Sequence, residues 1–70
     1  QIKCYYDRKS NTILFEGIDN FDFVICDVMG RIRLNGLAHN YINCHTLHKG
    51  AYIFTMKSNR LNYTFKFMVL

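Results

Sequence analysis

Cysteine and histidine, the side chains best suited to bind zinc, fall close together once in this sequence. Cys44, His45 and His48 lie within five residues of one another. A zinc site needs about four ligands in a tetrahedral array, usually supplied by two paired clusters. The sequence offers no second cluster, so we interpret these residues as part of a weak strand and the turn after it. We predict no metal site and no other cofactor.

Nucleophilic catalysis would need a cysteine or serine held against a base and a third, orienting group in a cleft. A chain of 70 residues has little volume for a cleft. The sequence also lacks the glycine-rich phosphate-binding patterns and the zinc-protease pattern HExxH. We therefore predict no enzymatic activity. The carboxylates fall mostly where turns are expected, at Asp7, Glu16, Asp19, Asp22 and Asp27.

Basic and aromatic residues alternate in two segments, residues 3–6 and 62–67. A nucleic-acid platform would need these rings exposed beside a clustered basic groove. The formal charge of +4 is instead spread along the chain, which is typical of a solvated surface. A chain this small needs its aromatic rings for the core, so we predict no nucleic-acid binding. The rings assigned to the core are Phe15, Phe23, Phe54, Phe65 and Phe67.

Short runs of alternating apolar and polar residues, each ended by turn-forming residues, dominate the chain. No segment shows the 3.6-residue period of a helix. The pattern favours one all-β domain over residues 1–70, either a sandwich of two antiparallel sheets or a small barrel. The seven predicted strands cover residues 2–7, 12–18, 21–26, 31–35, 40–44, 51–57 and 62–70.

The predicted turns depend on glycine, asparagine, aspartate and serine, because the chain has no proline. Gly30 is expected at positive φ in the turn 27–30, and Gly50 in the turn 47–50 before its partner strand, 51–57. A break is expected at residues 35–36 and a last turn at residues 58–60. In the run 31–35 we expect Ile32 and Leu34 to point inward.

The strand 21–26 is expected to be central, because apolar residues occupy both of its faces. The three cysteines, Cys4, Cys26 and Cys44, are an odd number without close spacing, and we interpret them as small buried residues. No apolar run approaches the roughly 18 to 20 residues of a membrane helix, so no membrane insertion is predicted. The start at Gln1, without an initiator methionine or a leader, indicates a fragment of a larger protein.

Three segments, in this order, resemble the C-terminal sorting domains of the type IX secretion system of Bacteroidetes. The first, residues 24–32, is similar to that family's block of a strand, Asp, two residues, Gly-Arg and an apolar residue. The second, residues 47–54, is similar to its block Leu-x-x-Gly-x-Tyr. The third, residues 66–70, is similar to the closing lysine and apolar run. The residues that carry the likeness are Asp27, Gly30, Arg31, Gly50, Tyr52, Lys66, Phe67, Met68, Val69 and Leu70.

The resemblance implies an immunoglobulin-like antiparallel β-sandwich of about seven short strands. It also implies a non-catalytic signal that ends a larger exported protein. Such a signal passes through the periplasm, is recognised by an outer-membrane secretion translocon, and is removed in many members by a sortase-like protease. The passenger then reaches the cell surface or the extracellular medium.

A folded signal has to be recognised through its shape and edges, and a terminal strand exposes unpaired backbone groups that accept a partner strand. We therefore expect residues 62–70 to carry recognition and to permit a strand-exchanged homodimer. The alternative is an immunoglobulin-like accessory module of a surface protein that binds carbohydrate or protein. Such a module should expose a contiguous aromatic patch, and the candidates are Tyr5, Tyr6, Tyr41 and Tyr63.

Overall fold

Seven β-strands make up the regular structure of the chain, in a computed structural model that describes residues 2–58 and 62–70. The predicted all-β class is confirmed. No helix in these two ranges is long and apolar enough to cross a membrane. The strands are β1 Lys3–Asp7, β2 Thr12–Glu16, β3 Asn20–Asp27, β4 Ile32–His39, β5 Tyr41–Asn43, β6 Gly50–Lys57 and β7 Asn62–Val69.

The strands form two antiparallel layers that face each other. Their order is β1-β2-β5-β4-β3-β6-β7, but β5 meets β4 at a single residue pair, His39 with Tyr41. Between them Asn40 has a φ of 69°, a left-handed conformation that asparagine tolerates better than most residues. The chain bends there, so that β1, β2 and β5 form one layer and β4, β3, β6 and β7 form the other. This is the predicted immunoglobulin-like sandwich.

The core lies between the layers, where alternate residues of every strand point inward. Phe54 is fully buried, and its ring lies 6.3 Å from that of Phe23 on the neighbouring strand. Two aromatic contacts join the layers directly: Phe15 of β2 lies 4.7 Å from Phe21 of β3, and Tyr6 of β1 lies 4.7 Å from Phe67 of β7. Of the phenylalanine rings predicted in the core, Phe23, Phe54 and Phe67 are buried, whereas Phe15 and Phe65 are partly buried and pack against it.

The central position of β3 is confirmed, since it pairs with β4 on one side and β6 on the other. The inward orientation of Ile32 is wrong, and this side chain is 59% exposed. Ile25 pairs with Leu34, but the next residue, Cys26, pairs with Ile32. The register shift inserts one extra residue into β4, and a shift of one residue moves a side chain to the opposite face. Ile32 therefore lies with Cys26 on the outer face.

Two further expectations are wrong. The predicted break at residues 35–36 does not occur, because β4 continues through Gly36 to His39. The strand after it, β5, is not the hairpin partner of β6: it pairs with β2 in the three-stranded layer. The segment 44–49 crosses between the layers instead, with Cys44 and Leu47 buried beneath it. In the predicted turn 58–60, Asn59 and Arg60 lie outside the described residues.

Candidate functional site

The β3–β4 turn is organised by one carboxylate, Asp27. Its Oδ1 accepts hydrogen bonds from the backbone N–H of Met29 at 2.9 Å and of Arg31 at 3.0 Å. Its Oδ2 accepts the Nε–H of Arg31 and the Nε–H of Arg33, both at 3.0 Å. Gly30 has a φ of 83°, as predicted from its place in the turn. Asp27 therefore both closes the turn and holds two guanidinium groups side by side.

These contacts change the acidity of Asp27. Partial burial raises the pKa of its carboxyl group, but hydrogen bonds from Arg31 N, the Arg33 side chain and Met29 N, with the charge of Arg31, outweigh burial and lower the pKa to about 2. The ordinary value is 3.8. Since the pKa is lower in the folded state, ionised Asp27 stabilises the fold fully above the ordinary pKa. This stabilisation is lost as the pH falls through the folded value.

The Asp27→Asn variant should therefore lose less stability than the wild type between about pH 4 and pH 2. Asparagine keeps an oxygen for the turn but carries no charge to titrate. The free energy of unfolding, measured by urea denaturation at a series of pH values, checks this. The pKa of Asp7 is lowered mainly by the side-chain hydrogen bond from Ser10. The companion variant Asp7→Asn should therefore remove a separate part of the slope of the unfolding free energy against pH. An unchanged slope in Asp27→Asn would contradict the prediction.

The start of β6 holds a second compact arrangement. Gly50 has a φ of 149°, a backbone conformation that side chains with a Cβ rarely adopt. Two residues later, the hydroxyl of Tyr52 donates a hydrogen bond of 2.7 Å to the carbonyl oxygen of His48. This is the tyrosine-corner arrangement of immunoglobulin-like domains, in which a tyrosine near the start of the sixth strand bonds backbone a few residues upstream. It fixes the crossing segment 44–49 to β6.

Replacing Tyr52 by phenylalanine should destabilise the domain by about 1 kcal/mol, because the carbonyl of His48 loses its only side-chain donor in the described structure while the ring stays packed. For a domain of this size, that corresponds to a fall in Tm of roughly 4–8 °C. Tyr5→Phe removes an exposed hydroxyl and is the matched control. Thermal unfolding followed by circular dichroism measures both, and equal Tm values for the two variants would show that the hydrogen bond contributes nothing.

The three sequence blocks meet at one end of the four-stranded layer. Asp27 of β3 pairs with Tyr52 of β6, and Tyr52 pairs in turn with Phe67 of β7, their rings 5.7 Å apart. One step further, Gly50 pairs with Val69. Residues that are distant in sequence thus form one continuous row across three strands. The turn of the first block, the tyrosine of the second and the core residues of the third therefore lie next to one another.

An open pocket of about 450 Å³ lies at this end of the sandwich. We call it the end pocket. The tip of the β3–β4 turn forms one wall, with Val28 and Met29 exposed by 70% and 76%. The segment that leads into β6 forms the other wall. Charged and polar groups lie between them, contributed by Asp27, Arg31, Arg33, His48, Lys49 and Tyr52.

The last strand, β7, is the outer strand of its layer, as predicted for a recognition edge. Its residues divide between two roles. Phe67 and Val69 are buried in the core, whereas Lys66, Met68 and the following Leu70 are exposed. An apolar groove runs between β7 and β1, with Arg8 and Lys66 on its border. Of the five predicted closing residues, three therefore lie at the surface and two stabilise the fold.

The cysteines show where thiol chemistry is disfavoured. Cys4 and Cys44 are buried, as predicted, and burial raises the pKa of each thiol to about 11. A thiol must lose its proton to act as a nucleophile or a metal ligand, so neither is primed for reaction. Cys26 is only half-buried, because it lies on the outer face of β3. Within residues 2–58 and 62–70, no three His, Cys, Asp or Glu side chains cluster as a metal site would require.

The alternative of an accessory module calls for a contiguous aromatic patch, and the four tyrosines named as candidates do not form one. Tyr6 packs against Phe67, and half-buried Tyr63 packs against Phe65. The two others, Tyr5 and Tyr41, flank Leu14 on three adjacent strands, and they are 44% and 54% exposed. We call this line of three residues the tyrosine row. The alternation of residues in β1 and β5 indicates that Tyr5 and Tyr41 point outward, but it does not indicate the strand pairing that aligns them.

Comparison with known proteins adds no assignment. No family model matches the chain, and no curated protein is significantly similar to it in sequence.

Proposed function

We propose that this domain is a non-catalytic sorting signal that directs a passenger protein through the type IX secretion system to the cell surface. One observation chiefly supports this proposal. Three sequence blocks that resemble those of the family's sorting domains meet in one row across β3, β6 and β7. Isolated blocks could resemble a family by chance. Their assembly into one row, ending on the outer strand, is what a signal read from that strand requires.

The reading surface in this proposal is the exposed side of β7. An outer strand presents backbone donors and acceptors to which a partner strand can add. Lys66 and Met68 alternate there with buried Phe67 and Val69, so the edge is held rigidly by the core while its outward side chains stay accessible. A translocon would bind this edge, and a sortase-like protease would act before β1, releasing the passenger. A strand-exchanged homodimer would form at the same edge.

A reporter fusion tests the proposal. A periplasmic reporter carrying this chain at its C-terminus is expressed in a Bacteroidetes host with a working type IX system and in a translocon-deficient strain. We expect reporter at the surface, accessible to added protease, only in the competent host, and shortened there by the 8.3 kDa of the domain. A reporter that stays periplasmic in the competent host, or that reaches the surface of both strains, would refute the sorting function.

The tyrosine row favours a second function, that of an accessory module binding carbohydrate. Exposed rings on one sheet face, held about 10 Å apart by the spacing of three adjacent strands, can stack on the apolar faces of sugars. Binding of the purified domain to a panel of soluble polysaccharides, compared with Tyr5→Ala and Tyr41→Ala, tests this. The module hypothesis predicts polysaccharide binding that each substitution weakens, whereas the sorting function predicts that neither substitution affects sorting.

A further inference from the structure

The end pocket carries an excess of positive charge that the fold does not neutralise. Arg31, Arg33 and Lys49 line it together with one carboxylate, Asp27, which leaves two formal positive charges. The Asp27 oxygen is shared by both arginines at 3.0 Å. A second anion brought into the pocket would therefore meet unbalanced cations rather than displace a complete ion pair.

The two guanidinium groups are also oriented in advance. Each is held to Asp27 through its Nε–H, and the structure shows no hydrogen bond from the Nη atoms of either one to the described residues. An arginine has five N–H donors in a planar fork, so both side chains keep donors for a further acceptor. Two guanidinium groups held side by side suit the tetrahedral oxygens of a phosphate group, which they bind in bidentate fashion.

An apolar tip stands directly beside these cations. Val28 and Met29 form the tip of the turn, and both are among the most exposed large apolar side chains in the described structure. The hydrogen bond from Met29 N to Asp27 fixes the tip relative to the arginines. Apolar side chains next to arginine and lysine are the arrangement found where proteins rest on an anionic membrane surface, with the apolar groups at the acyl boundary and the cations at the phosphates.

We propose that the end pocket binds the phosphate group of an anionic lipid, with Val28 and Met29 resting in the interface. The contact is peripheral, and no strand enters the bilayer. It does not rest on the sorting function: Asp27 and Arg31 belong to the first sequence block, but the surface proposed for sorting is the free edge of β7. A pocket of about 450 Å³ is in the range that accommodates a small headgroup.

Co-sedimentation of the domain with vesicles tests this proposal. Vesicles of phosphatidylcholine alone, whose phosphate is balanced by the choline cation, are compared with vesicles that also contain phosphatidylglycerol, whose headgroup has a net negative charge. We expect binding only to the second kind. The double variant Arg31→Gln/Arg33→Gln should bind roughly thirtyfold more weakly, the loss expected for two cations at an anionic surface. The control Lys3→Gln/Lys57→Gln removes the same charge at the opposite end and should bind as the wild type does.

Two further variants separate binding from folding. Lys49→Gln leaves every hydrogen bond of Asp27 in place and should weaken binding about fivefold. Val28→Ser/Met29→Ser keeps the charge but removes the apolar tip, and should weaken binding about tenfold. Circular dichroism shows that each variant is folded before it is compared. If Lys49→Gln and the arginine variant both bind like the control, the proposal is wrong.

Two soluble probes, glycerol phosphate and a single-stranded oligonucleotide, distinguish a lipid phosphate from other sources of phosphate. Glycerol phosphate should shift the NMR signals of the Arg31 and Arg33 Nε–H groups only weakly, whereas the vesicles should broaden them strongly. Glycerol phosphate binding without vesicle binding would overturn the lipid assignment. So would a single-stranded oligonucleotide that binds the pocket more tightly than the vesicles do.

Discussion

Deletion of residues 66–70 is expected to unfold the domain. The deletion removes two core residues, Phe67 and Val69, and half of the β7 ladder. Phe67 packs on Tyr6 across the sandwich and on Tyr52 beside it, and the loss of such a ring alone costs about 3–5 kcal/mol. A domain of this size has a total stability of roughly 4–10 kcal/mol. The free energy of unfolding should therefore fall close to zero.

Circular dichroism and urea denaturation measure this effect. Deletion of Leu70 alone is the matched control, because this side chain is exposed and lies after the last pair of the ladder. Its loss should change the free energy of unfolding by less than about 0.5 kcal/mol. A cooperative transition of the 66–70 deletion near the wild-type midpoint would contradict the assignment of Phe67 and Val69 to the core. The deletion consequently tests folding and cannot by itself test recognition.

Phe54→Ala should destabilise the domain more than any other single substitution to alanine. Phe54 is fully buried in β6, and its ring lies 4.9 Å from Phe65 on β7 and 6.3 Å from both Phe21 and Phe23 on β3. Truncating it leaves a cavity among these rings, because strands held by pairing on both sides cannot close the space. The expected loss is about 3–5 kcal/mol, with a fall in Tm of roughly 15 °C or more.

Leu37→Ala is the control for Phe54→Ala. Leu37 lies in β4 of the same layer but is exposed, so its truncation should change stability by less than about 0.5 kcal/mol. Thermal unfolding at one protein concentration compares the two variants. A Tm of Phe54→Ala close to that of Leu37→Ala would show that β6 is not the centre of the core.

The strands themselves could be predicted because their alternation is local. In β6, buried Tyr52, Phe54 and Met56 alternate with less buried neighbours, and this period of two is visible in the sequence. The orientation of Ile32 was not visible, because it depends on a register shift between β3 and β4. A bulge changes the pairing without changing the alternation of residue types, so a local pattern assigns the wrong face.

Strand partners were the other limit of prediction. The sequence places β5 next to β6, and a short turn between them suggests a hairpin. The structure sends β5 to β2 and turns the chain at Asn40. Which strands pair across a sandwich depends on how two sheets pack over a shared core, and that is a property of the whole chain rather than of a turn.

Individual residues of the candidate site could be predicted from the sequence, but the surfaces that they form together could not. Asp27, Gly30, Gly50 and Tyr52 were expected as recognition residues, and each has a structural role in a turn or at the tyrosine corner. Family likeness at these positions thus has a folding explanation of its own. The residues left free to act at a surface are the exposed part of β7 and the charged and apolar groups around the end pocket, and neither surface exists before the strands pair.

Recognition at the β7 edge is tested most directly with a variant that changes this edge and leaves the core intact. Lys66→Glu/Met68→Glu alters two outward side chains of β7, and Lys57→Glu/Leu37→Glu makes the same kinds of change on exposed positions of β6 and β4. Both are fused to the periplasmic reporter, and the fraction of reporter at the cell surface is measured in the competent host, with the Tm of each isolated domain. We predict surface delivery for the β6/β4 variant and periplasmic retention for the β7 variant, at similar Tm values. Delivery of the β7 variant at the wild-type level would contradict recognition through this edge.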